Sequence, residues 1–110
     1  MVIMVLEHVP QCYTWEDGAV IGRLIHALFS RGERATVSFK GVENIPSSFV
    51  NGAFVTLLAN FDFDFIKAHL SVVDSNRSIN HMIRSRLKFE AERREESPPT
   101  LRASEFDAQP

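Results

Sequence analysis

Two adjacent hydroxyls, Ser47 and Ser48, directly follow a proline in the run GVENIPSSFVNGAF, residues 41–54. A serine so placed can act as a nucleophile, cap a helix or accept a phosphate. Nucleophilic serines on strand-to-helix turns depend on the strained geometry that G-x-S-x-G provides. Here the residues are Ile45-Pro46-Ser47-Ser48-Phe49, with neither glycine. A general base would have to come from His8, His26, His69 or His81, and His26 falls within an amphipathic run. A small enzyme using Ser48 is therefore the minor alternative. Capping accounts for one serine entirely: Pro46 fixes its own φ, and a serine before a helix holds an orphan N–H for about 1 kcal/mol. The other serine then lies in the first turn, among unpaired N–H groups that favour negative charge. Phosphorylation there adds about -1.5 to -2 charge and repels an interface that tolerates a neutral hydroxyl.

Other chemistries have less support. The four histidines and single cysteine lack the paired spacing of a zinc site, so no metal is expected. Neither G-x-x-x-x-G-K-S/T nor G-x-G-x-x-G occurs, so no nucleotide cofactor is expected. A formal net charge of -2 leaves no basic footprint for nucleic acid. Arginines run from Arg77 to Arg94, but Glu90, Glu92, Glu95 and Glu96 interleave with them, as i,i+4 pairing on a solvated face requires. Arg84, Arg86 and Lys88 are less well balanced, which leaves a docking surface for an acidic partner as the second reading. Cys12 cannot form an internal disulfide, and a reducing compartment follows. MVIMVLEHVP has neither the basic start of a secretory signal nor the roughly 20 apolar residues of a membrane span, so a cytoplasmic protein without membrane contact is expected.

The elements that must position the serines follow from periodicity. With 110 residues, 45% of them hydrophobic and 24% charged, the chain suits one globular domain. Met1–Val9 reads as a buried strand rich in β-branched residues. Thr14-Trp15-Glu16-Asp17 opens a helix over 15–31, with Val20, Ile21, Leu24, Ile25, Leu28 and Phe29 on one face. Ala35–Val42 alternates as a strand with one face better buried. A second helix from Ser47 carries Phe49, Val50, Ala53, Phe54, Leu57, Leu58 and Phe61. Phe61-Asp62-Phe63-Asp64-Phe65 reads as a connection whose phenylalanines fold back on the core. Ala68–Asp74 is a third strand, and Asp74-Ser75-Asn76 offers caps for a third helix with Ile79, Met82, Ile83, Leu87 and Ala91 inward. From Glu95 the apolar period ends, giving a folded domain over 1–94 and a disordered tail over 95–110. Strands alternating with helices form a parallel sheet whose functional loops collect at the carboxyl ends of its strands. The serines follow the second strand, at that end.

The run VSFKGVENIPSSFVNGAF resembles the signature of the STAS-like domains of unknown function and, more distantly, the STAS domains of bacterial anti-sigma factor antagonists. The likeness extends from TWEDGAVIGRLIHALFSRG through HLSVVDSNRSINHMI. It implies a small layered α/β domain with a mostly parallel sheet of three to four strands and about three helices. In the antagonists an Asp-Ser-Ser-Gly loop is phosphorylated on its second serine by a kinase that is also the anti-sigma factor. Here Pro46 takes the Asp position and Phe49 the Gly position, and Ser48 matches the phosphoacceptor. The resemblance thus implies a non-enzymatic regulatory module whose partner is a kinase-like ATP-binding regulator. Ser48, with Ser47 as substitute, would be its switch, and Glu43, Asn44, Pro46, Phe49 and Asn51 would form the partner surface. Self-association into a homodimer through a sheet edge or helix face is the structural alternative.

Overall fold

In the computed structural model, residues 2–96 are described, with side chains to residue 94. Three strands, β1 (Val2–Met4), β2 (Ala35–Ser38) and β3 (Leu70–Val73), form a parallel sheet in the order β1-β2-β3. The register sets Ile3 beside Val37 and Val37 beside Val72. Neighbours in register share a face of the sheet, and Ile3 and Val37 are buried in the core. The opposite face carries Val2, Thr36 and Ser71, which are exposed or half-buried. The uneven burial expected for the second strand is present, except at Ser38, which is buried and donates to Asp74 Oδ2 at 2.7 Å.

Five helices accompany the sheet, two more than the sequence reading supplies. They are α1 (Val5–His8), α2 (Trp15–Ser30), α3 (Ser47–Ala53), α4 (Phe63–His69) and α5 (Arg77–Glu96). α2 forms where expected. Thr14 Oγ1 accepts from Asp17 N at 3.0 Å while Asp17 Oδ2 accepts from Thr14 N at 3.2 Å, a reciprocal capping box. α5 is also as read: Asn76 Oδ1 caps it by accepting from Ile79 N, and Ile79, Ile83, Leu87 and Ala91 are buried. The tail expectation is only partly within reach. Residues 95 and 96 continue α5, and 97–110 lie outside the described residues.

Three expectations are corrected. The first strand ends at Met4, and Val5–His8 winds into one helical turn, because an apolar run fixes burial without fixing conformation. Phe61–Phe65 is not a plain connection. Asp62 Oδ1 accepts from Phe65 N at 2.7 Å, starting α4, with Asp64 in its first turn and Lys67 and His69 in its last. Finally, the helix from Ser47 stops at Ala53 and passes into a 3₁₀ segment, Val55–Ala59. Thr56 Oγ1 donates to Gly52 O at 2.9 Å, so a side chain competes there for a carbonyl of the helical ladder.

α2 and α3 meet main chain to main chain. A Cβ on Gly18 would collide with Phe49 O, one on Gly52 with Trp15 O, and one on Gly22 would sit 2.7 Å from Gly52 O. Gly52 is therefore required by packing, and its weaker helix propensity is the cost of the approach. Around this seam Phe39, Phe49 and Phe54 are fully buried, with Phe39 edge-on to Phe49 at 6.3 Å.

Candidate functional site

The site is a corner where residues 10–14, the loop after β2 and the start of α3 converge. The loop leaves β2 at its carboxyl end. Gly41 turns it with φ of 86°, a value that suits glycine, and buried Ile45 anchors it. Its far side is fastened to α5: Asn76 Nδ2 donates to Glu43 O at 2.8 Å, and Ser78 Oγ donates to Asn44 Oδ1 at 3.4 Å. The side chains of Glu43 and Asn44 remain exposed.

Pro46, in extended conformation, is the N-cap of α3, and no side chain caps this helix. The expected serine cap is thus absent, because proline occupies the capping position and both serines are already helical. Ser47, the first helical residue, is exposed. Ser48 is half-buried, and its hydroxyl donates to Tyr13 O at 3.0 Å. That partner is a main-chain carbonyl, which neither activates the oxygen as a base would nor satisfies an orphan N–H.

Tyr13 is consequently held at both ends of its backbone. Its carbonyl accepts from Ser48, and its N–H donates to Asp17 Oδ2 at 3.2 Å. The Tyr13 amide, with the N–H and hydroxyl of Thr14, holds the Asp17 carboxyl below its ordinary range against a smaller opposing effect of burial. Tyr13 is 64% exposed, and Trp15, the first residue of α2, is 47% exposed. Neither was singled out from sequence. The available signal was the residue type: the chain's single tryptophan and single tyrosine flank one helix cap.

Beside Tyr13, a cleft of about 410 Å³ opens between Leu6, Pro10 and Cys12 on one side and Gly41, Val42 and Glu43 on the other. Cys12 is 3% exposed. Burial, with a smaller push from the Asp17 charge, raises its thiol pKa to about 11, so it is a poor nucleophile.

Two residues expected on the partner surface face elsewhere. Phe49 is fully buried and cannot touch a partner; it anchors α3 beneath the corner. Asn51 Oδ1 accepts from Arg86 Nε and Nη2 at 3.2 and 3.1 Å, and Arg86 also pairs with Glu90 at 2.9 Å. Asn51 and Arg86 thereby tie α3 to α5, and Arg86 leaves the solvated basic flank. Among the described residues, no three His, Cys, Asp or Glu side chains gather as metal ligands, and no helix is long and apolar enough to cross a membrane.

A family model described as a STAS-like domain of unknown function matches residues 17–80. No curated protein and no solved structure matches the chain.

Proposed function

Because the chain belongs to the STAS-like domains of unknown function, we propose that it is a non-enzymatic regulatory module that binds a protein partner at the Tyr13–Ser48 corner. Phosphorylation of Ser48 is the switch. The observation that carries this reading is the hydrogen bond from Ser48 Oγ to Tyr13 O. Through it, the state of one hydroxyl bears on the segment that displays Tyr13 and leads into Trp15. Exposed aromatics of this kind are the usual anchors of protein interfaces.

When a phosphate ester forms on Ser48 the hydroxyl proton is lost, and nothing remains to donate to the Tyr13 carbonyl. Anionic oxygens then face a carbonyl oxygen and lie near the Asp17 carboxylate, so residues 12–14 are pushed away. A phosphate on exposed Ser47 leaves that bond standing and acts only through its charge. Ser48 is therefore the stronger switch and Ser47 the weaker. The likeness to anti-sigma factor antagonists makes a kinase-like ATP-binding regulator the partner class to seek, with the Glu43 and Asn44 side chains and Pro46 completing the surface.

Capture from the native lysate with wild-type, Ser48→Ala, Ser48→Asp and Tyr13→Ala baits tests the reading. A partner held by wild-type and Ser48→Ala, but lost at least roughly tenfold with Ser48→Asp and Tyr13→Ala, is expected, a tenfold loss being about 1.4 kcal/mol. Intact mass of the recovered protein reports any phosphate. Equal capture by Ser48→Ala and Ser48→Asp removes the switch, and equal capture by Tyr13→Ala removes the corner.

Self-association rests on a separate feature, the uncovered sheet face, where Val2 is 56% and Val73 39% exposed. A concentration-dependent sedimentation coefficient would favour it.

A further inference from the structure

Away from the serine corner, the core face of the sheet is unfinished at its β3 edge. Ile3, Val37 and Val72 stand in one row across the strands, yet Ile3 and Val37 are buried while Val72 is half-buried. A groove of about 690 Å³ opens there between α4 and α5. Both of its walls show a helix's own spacing. Phe63, Ile66, Lys67 and Leu70 follow i, i+3, i+4, i+7 along α4 into β3. Asn80, Ile83, Arg84, Leu87 and Lys88 keep the same period along α5. The stripe on α5 is about 12 Å long, a little over two helical turns.

Ile66, Ile83 and Leu87 are buried at the base of the groove, with Phe63 and Leu70 half-buried beside them. Its charged lining residues, Lys67, Arg84 and Lys88, are all cations. Lys67 is already engaged: its Nζ stands 4.9 Å from the centre of the Phe63 ring and 3.8 Å from Asp64. Arg84 and Lys88 are exposed and have no ion pair among the described residues. An open trough between two striped helices is the setting in which a third helix lays its apolar face, anchored at i, i+3, i+4 and i+7. An extended strand added to β3 would find little ladder, because β3 has four residues and Leu70 N–H already donates to Ile66 O. Unpaired cations at the rim select acidic residues on the occupant's flanks.

We propose that the groove between α4 and α5 is a docking site for an amphipathic helix of another protein, apolar along one stripe and acidic beside it. The apolar stripe completes the core layer over Ile66, Ile83 and Leu87, and carboxylates on its flank pair with Arg84 and Lys88. The site is separate from the Tyr13–Ser48 corner and does not depend on the reading of Ser48.

The probe is a capped peptide of about 16 residues, above the length below which isolated helices are marginal in water. It carries leucine at i, i+3, i+4 and i+7 and glutamate on the flanks. Titrated into the full chain, it should shift the Val72, Ile83 and Leu87 methyl signals saturably. The same peptide with lysine in place of glutamate should bind at least roughly tenfold more weakly, as should the glutamate peptide to Arg84→Glu/Lys88→Glu. That double variant should in turn prefer the lysine peptide, which guards against a variant that merely fails to fold. Equal binding of the two peptides to wild type, or no saturable shift of those methyls, would overturn the proposal. So would the same shifts produced by oleate but not by the peptide, which would make the groove a lipid-tail site. Shifts produced by raising the protein concentration alone would make a second copy the occupant and overturn it equally.

Discussion

The backbone of a single residue, Tyr13, joins two side chains of opposite character. Asp17 accepts from its N–H and Ser48 donates to its carbonyl. Thr14→Ala removes half of the capping box and should cost about 1 kcal/mol in denaturant unfolding. It should also speed exchange of the Tyr13 amide, which a purely local helix effect would leave alone. The Asp17 pKa is lowered on folding, so its contribution is complete above 3.8, its ordinary value, and is lost as pH falls through the depressed value. Tyr13 amide protection measured down an acid titration should fade in that order. Cys12 behaves oppositely. Its folded pKa is raised from 9.0 to about 11, so its neutral form stabilises the fold below 9.0, and that stability declines as pH rises towards 11. Cys12→Ala should flatten the alkaline limb of the stability profile between those values.

At the scale of elements, the α2–α3 seam reverses an ordinary expectation. In an exposed helix Gly→Ala stabilises by about 1 kcal/mol. At Gly52 the added methyl would meet Trp15 O, so Gly52→Ala should instead destabilise by roughly 1–3 kcal/mol or more, read from the urea midpoint. That seam explains much of what the sequence concealed. Six apolar residues, Thr14 as a cap and two acids in the first turn made α2 legible, because these signals agree within one element. The helix after Ser47 was legible as amphipathic, yet its break after Ala53 is not marked by that periodicity; it coincides with a threonine hydroxyl that takes Gly52 O. α4 was hidden because its Phe-Asp alternation has a strand's period, while its start depends on Asp62 as a cap. The serines marked the corner. Tyr13 and Trp15, which give it an accessible surface, are held there by the Thr14–Asp17 capping box and by the bond from Ser48 to the Tyr13 carbonyl, 35 residues away.

Across the whole molecule, one hydrophobic cluster runs from Ile3 through Phe29, Val37 and Phe54 to Ile79 and Leu87. No second core divides the described residues, so unfolding should be a single transition. Trp15 fluorescence and far-ultraviolet circular dichroism should share one midpoint, and separated midpoints would show that the corner opens by itself. The sheet has one face in this core and another largely in solvent, unusual for parallel strands. Where Trp15 and Phe49 present main-chain oxygens across absent side chains, α2 and α3 have no deformable padding between them. A push on the first turn of α3 cannot be absorbed by rotamers; it must tilt the pair together. The corner should therefore behave as geared rather than sprung, with a displacement of the serine end carried on to the tryptophan end.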